Sequence, residues 1–128
     1  SPRHALRAGL KILRAGGTFA VAIDQYPGEM GTPCELLGKT VSTVRTAAAL
    51  AMKTQPRVLG AYALMDDRGN YHVTIQDMPF PPNLPADKDA ALNAIQRQHN
   101  DVLSAWIRAR PEHWFGWLHR RFKDDLPY

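Results

Sequence analysis

The sequence predicts an α/β fold, a mixed sheet flanked by helices in the order α-β-α-β-β-α. Three observations carry this: apolar residues at helical spacing near both ends, short apolar runs bounded by glycine and proline between them, and no internal repeat. The 128 residues are 45% hydrophobic, enough for one domain or part of one with a real core. Sixteen Lys+Arg against twelve Asp+Glu leave a net charge of +4, too mild an excess to name a partner by itself.

At the N-terminus Ser1 can cap and Pro2 suits the first helical position. Leu6, Leu10, Ile12 and Leu13 fall near one face before Gly16-Gly17, predicting a helix over 2–15. Residues 18–23, Thr-Phe-Ala-Val-Ala-Ile, read as a strand buried on both faces, with Asp24 at its C-terminal end. Pro27, Gly28, Gly31, Pro33 and Gly38 break residues 25–39 into a long loop. Thr40, Ser42 and Thr43 offer capping hydroxyls to an alanine-rich helix over 44–53.

Two strand-like runs, 58–65 and 71–78, flank Asp66-Asp-Arg-Gly-Asn70 and predict a hairpin. The Pro79-Phe-Pro-Pro-Asn-Leu-Pro85 stretch forbids regular structure. A helix over 87–110 follows, with Ala91, Leu92, Ile95, Val102, Leu103 and Trp106 inward, and Pro111 restarts a last turn or two.

Composition removes several classes. A single cysteine, Cys34, cannot form an internal disulfide or a cysteine zinc site and reads as a small buried hydrophobe. Every apolar run is interrupted well short of the roughly 18 residues of a membrane span. No metal or cofactor is expected.

Asp24 and Gln25 occupy the sheet edge where open α/β folds place ligands, although an aspartate there also serves as a plain cap of loop amides. Near the C-terminus Arg108, Arg110, His113, His119, Arg120, Arg121 and Lys123 interleave with Trp106, Trp114, Phe115, Trp117 and Phe122. Such a stretch fits a phosphorylated lipid, a membrane surface or nucleic acid. On the residues alone it is better read as a helix end whose cations meet terminal carbonyls while the aromatics complete the core. His72 with Asp77 and His119 with Asp124 match His-x4-Asp, but neither a strand nor a helix brings positions five apart together, so both are read as coincidences.

Taken together, Leu13-Arg-Ala-Gly-Gly-Thr-Phe-Ala-Val-Ala-Ile-Asp-Gln-Tyr-Pro-Gly28, Leu37-Gly38, Ala47 to Ala51 and Pro111-Glu-His-Trp-Phe-Gly-Trp-Leu-His-Arg-Arg-Phe-Lys123 resemble the bacterial lipid A biosynthesis acyltransferases. These are the lauroyl and myristoyl transferases of the lysophospholipid acyltransferase superfamily. The resemblance implies the C-terminal part of a glycerolipid-acyltransferase-like fold and transfer of a fatty acyl chain from acyl carrier protein, or coenzyme A, to a hydroxyl of a lipid A precursor or related glycolipid. It places the protein peripherally at the cytoplasmic face of the inner membrane, puts Asp24 and Gln25 at the active-site edge, and makes Arg120, Arg121 and Lys123 candidate substrate-binding or structural contacts.

The family's general base is a His-x4-Asp/Glu motif upstream of the Asp-Gln pair. Here the one histidine before Asp24 is His4, with Gly9 five positions on, so this chain is expected to be inactive without a further N-terminal segment. Gly60, where the family often has proline, and Gly116, an extra residue between Trp114 and Trp117, depart from the pattern. The alternative is a non-enzymatic basic α/β module that binds nucleic acid through its C-terminal stretch.

Overall fold

The computed structural model describes residues 2–118 and 121–122, without the side chains of residues 2 and 3. The N-terminal helix, α1 (Pro2–Arg14), ends where Gly16 takes a φ of 78°. Gly16 N donates to Leu13 O at 3.0 Å and Gly17 N to Ile12 O at 2.9 Å, the paired bonds with which a left-handed residue closes a helix.

Residues 18–23 form no strand, a correction to the sequence expectation. Phe19, Val21 and Ile23 are half-buried while Ala20 and Ala22 are exposed, so the alternation of a strand survives without a ladder. A doubly buried strand needs neighbours, and the strands that are described pair among themselves.

The expected long loop over 25–39 is also overturned. After a 3₁₀ turn at Gly28–Met30, β1 (Thr32–Leu36) pairs antiparallel with β2 (Lys39–Thr43), Cys34 opposite Val41 and Leu36 opposite Lys39. Leu37 and Gly38 both take positive φ, 54° and 85°, as a two-residue hairpin turn of the right twist requires. Thr40, Ser42 and Thr43 are therefore strand residues rather than helix caps. The glycines and prolines that disguised this hairpin lie at its ends and turn, and Pro33 is an exposed position in β1.

Helix α2 (Thr46–Thr54) buries Ala48, Ala49, Leu50 and Ala51 and stops at Gln55, whose φ is 45°. The second hairpin forms as expected from β3 (Leu59–Met65) and β4 (Tyr71–Asp77), Leu59 opposite Asp77 and Met65 opposite Tyr71. Its loop is tied by the Asp66 carboxylate, which accepts from Arg68 N and Asn70 N, each at 2.9 Å. Helix α3 (Lys88–Ala109) starts at Asp87, whose side chain accepts from Ala90 N at 2.8 Å. Two 3₁₀ turns, Pro111–His113 and Phe115–Trp117, continue from it.

The fold is α/β, as predicted, but its described strands form two separate two-stranded antiparallel sheets rather than one mixed sheet. The helices share one core, in which Ala48, Ala49 and Ala51 meet Leu92 and Ile95 with Leu6 and Val58 against them. The first hairpin and the second half of α3 share another, where Leu36, Val41, Leu103 and Ile107 are packed by Ile23, Trp114 and Phe122. The second hairpin leans one face on α3 through Tyr62 and Trp106, ring centroids 4.4 Å apart. Buried Gly60 leaves room there, since a Cβ on it would stand 2.7 Å from the Trp106 ring.

Candidate functional site

Asp24 lies at a bend between the apolar run 18–23 and the first hairpin, and it is half-buried. Its carboxylate acts on one of the most deeply buried side chains of the chain, Arg121, at 1% exposure. Burial pushes the Arg121 guanidinium down from its ordinary range, while the charge of Asp24 pulls it back up. Two residues named from sequence, 97 positions apart in the chain, are thus coupled electrostatically, a buried cation and a carboxylate whose charge acts on it.

Arg121 spends its donors on the edge of the first hairpin. Nη1 donates to Ser42 O, and Nη2 donates to Thr43 Oγ1 at 3.2 Å. Nε is buried without a partner. The guanidinium is therefore oriented by strand β2. Of the two roles that the residues alone leave open for Arg121, phosphate ligand or structural contact, these bonds inside the protein favour the second.

Thr43 Oγ1 also receives Asn100 Nδ2 at 3.2 Å, and the same Nδ2 donates to Glu35 O at 2.9 Å. One turn earlier on α3, Gln96 accepts from Thr32 Oγ1 at 2.8 Å and donates to Val44 O at 3.3 Å. One turn later, Ser104 Oγ accepts from Leu37 N at 3.1 Å, which anchors the turn residue held at positive φ. Gln96, Asn100 and Ser104 thus form a buried polar stripe at spacing four along α3, and it clamps the hairpin beside Asp24.

Sequence reasoning missed this stripe and took Val102 and Trp106 as inward instead; both are half-buried. The signal was present as polar residues at 96, 100 and 104, a helical repeat in phase with Leu92 and Leu103. His99 is buried beside the stripe, and desolvation depresses its pKa, so the imidazole is held neutral.

Cys34 is buried in β1, and burial raises its thiol pKa against smaller lowering effects, the first of which is Arg97. A protonated, buried thiol is a poor nucleophile. Gln25 is exposed. Arg120 and Lys123 lie outside the described residues, as does the pair His119 and Asp124.

His72 does not approach Asp77. Its Nε2 lies 2.9 Å from Asp66 Oδ2 at the hairpin tip, and Asp77 is held by Arg57 through two bonds of 2.8 and 2.9 Å. The His72 contact, with Asn70 and Arg68 amides, draws the Asp66 carboxyl down to about 2.

The aromatic ending packs on itself while staying partly open: Trp114 and Phe122 are half-buried, and Phe115 and Trp117 are exposed. Trp114 meets Trp117 edge-on at 4.8 Å and Phe122 at 6.1 Å, and Trp117 Nε1 donates to Pro111 O at 2.8 Å. Gly116 is buried against the Trp114 ring, which occupies the place a Cβ would take. Among the described residues there is no group of three or more His, Cys, Asp or Glu that could hold a metal ion, and no helix is long and apolar enough to cross a membrane.

No curated protein matches the chain. A family model described as bacterial lipid A biosynthesis acyltransferase matches residues 1–124, nearly the whole sequence, including Asp24, the first hairpin, α3 and Arg121. On that coverage, the chain belongs to the bacterial lipid A biosynthesis acyltransferase family.

Proposed function

We propose that this chain contributes the Asp24 side of an O-acyltransferase site that moves a fatty acyl group from an acyl carrier protein or coenzyme A thioester to a hydroxyl of a lipid A precursor or related glycolipid. The observation that carries the reading is family membership over residues 1–124. In the reaction the acceptor oxygen attacks the thioester carbonyl, the ester C–O bond forms, the C–S bond breaks and the thiol leaves. The acceptor proton goes to a histidine oriented by a carboxylate. That dyad belongs to a His-x4-Asp/Glu segment upstream of the Asp-Gln pair, and between Ser1 and Asp24 the sequence offers His4 with Gly9 five positions on.

What supports a role for Asp24 is its setting. Its carboxylate acts electrostatically on a buried guanidinium that is itself bonded to Ser42 and Thr43, which sets it close to the first hairpin. A carboxylate in that place accepts a hydrogen bond from an acceptor hydroxyl or orients a cationic side chain. Gln25, next to it in the chain, is exposed and open to an acceptor. Arg120 and Lys123 remain candidates for phosphate contact, in an enzyme that works peripherally at the cytoplasmic face of the inner membrane.

The test is acyl transfer from a carrier-protein thioester to a hydroxylated lipid A precursor, read by mass of the product. An enzyme in which this chain follows a His-x4-Asp/Glu segment gives the acylated lipid, and the 128-residue chain alone gives none. Product from the chain alone, lost on substitution of His72, would overturn the assignment of the base.

A further inference from the structure

The +4 net charge of the chain is not spread over it. Arg3, Arg7, Lys11 and Arg14 precede the first acidic residue, Asp24, and the remaining twelve Lys and Arg are matched by twelve Asp and Glu. The whole excess therefore resides in α1, which has no acidic residue.

The helix sorts these charges from its packing face. Leu6 packs against the core shared with α2 and α3, and buried Gly9 lies against Leu50. Arg7, Lys11 and Arg14 lie within about 60° of one another on a helical projection, turned away from that face, and all three are exposed. Four cations elsewhere are paired, Arg45 with Asp89, Arg57 with Asp77, Arg97 with Glu35 and Asp101, and Arg110 with Glu112, while Lys53, Arg68 and Lys88 stand singly rather than on one helix face. Arg7, Lys11 and Arg14 have no ion-pair partner among the described residues. With Leu10 and Ala15 they line an open groove of about 540 Å³.

We infer that this face of α1 docks on an anionic lipid surface, with Arg7, Lys11 and Arg14 on headgroup phosphates and Leu10 and Ala15 under the lipid's less polar part. The inference rests on the membrane-surface reading above and says which side of the protein meets the membrane. A cationic rim over an apolar floor complements an amphiphilic anion better than it does a hydrated acidic protein, which offers charge without an apolar portion. The unpaired state of the three cations points the same way: they carry no intramolecular charge pairing that docking would have to break.

The experiment is co-sedimentation of the 128-residue chain with phosphatidylcholine vesicles containing or lacking about 30% phosphatidylglycerol, the anionic probe that sets a negative surface potential. The variant Arg7→Gln/Lys11→Gln/Arg14→Gln is compared with Lys53→Gln/Arg68→Gln/Lys88→Gln, which removes the same charge elsewhere. Binding is expected for the anionic vesicles alone, to weaken on the order of a hundredfold in the α1 variant at roughly fivefold per cation, and to change little in the control. Melting curves show that both variants fold.

Equal loss in both variants, or undiminished binding by the α1 variant, overturns the inference while leaving the membrane reading intact. No binding of the unaltered chain to anionic vesicles overturns both. Binding of the α1 face to soluble acyl carrier protein at concentrations where vesicles are ignored replaces the lipid with an acidic protein and also overturns it.

Discussion

Asn100 and Thr43 are 57 positions apart, yet Asn100 Nδ2 lies 3.2 Å from Thr43 Oγ1, and that hydroxyl is the point where α3, the first hairpin and Arg121 are joined. Both side chains are buried, at 0% and 2% exposure. In such surroundings an unmet polar group costs more than a met one gains. Replacing Asn100 by Ala strands Glu35 O and removes a bond to Thr43. The expected loss is about 3 kcal/mol of unfolding free energy, measurable by urea denaturation. A loss within experimental error would show that the stripe does not hold the hairpin.

His99 makes stability depend on pH. Its folded pKa lies below the unfolded value near 6.5 because burial disfavours the imidazolium. As pH falls below that unfolded value, the unfolded chain takes up a proton that the folded chain refuses. Stability contributed by neutral His99 is therefore complete above the unfolded pKa and is lost as pH falls toward the depressed folded pKa. His99→Gln should flatten this part of the profile of melting temperature against pH, whereas an unchanged slope would assign it to other groups.

The glycines at the two departures from the family pattern have a steric cause. Gly60→Ala would press on Trp106 and Met78, and Gly116→Ala on the Trp114 ring. Each should cost about 1–3 kcal/mol through overpacking, read as a lowered denaturation midpoint. Gly16→Ala meets no side chain but stands at a φ of 78°, so its cost is conformational and of order 1 kcal/mol.

The outer face of the second hairpin predicts self-association of the isolated chain. Leu59, Met65, Tyr71, Val73 and Ile75 are all exposed on one side of a two-stranded sheet, together with Ala61 and Ala63. Apolar faces and open strand edges of this kind pair with one another. Sedimentation should show concentration-dependent oligomers that Val73→Lys/Ile75→Lys reduces. A monomer at every concentration would contradict this.

What was legible in the sequence was local. The bounds of α1, the second hairpin and α3 came within one or two residues, because capping residues, Gly16 and strict alternation act within a few positions. What was missed depends on partners distant in sequence. Leu37 at positive φ gives no compositional warning of a turn, and Ser104, which holds it, lies 67 positions away. Residues 18–23 have strand composition, but a strand is defined by its neighbours. Gln96, Asn100 and Ser104 read as a solvated face until the hairpin covers them. At the site, Asp24 was visible as the end of an apolar run, while its relation to Arg121 required the fold.

The central claim, that Asp24 works in acyl transfer and is more than a loop cap, is tested most directly by Asp24→Asn in an enzyme in which this chain follows its dyad segment. Asparagine keeps the shape and the hydrogen-bond acceptor but removes the charge that acts on Arg121. Steady-state kinetics beside a melting curve should show a rate about ten- to a hundredfold lower, roughly 1.4 to 2.7 kcal/mol of transition-state stabilisation, at a temperature where the variant, though lowered in melting by the loss of charge near Arg121, is still fully folded. Parental kinetics with an unaltered melting curve would contradict the claim and leave Asp24 as a loop cap.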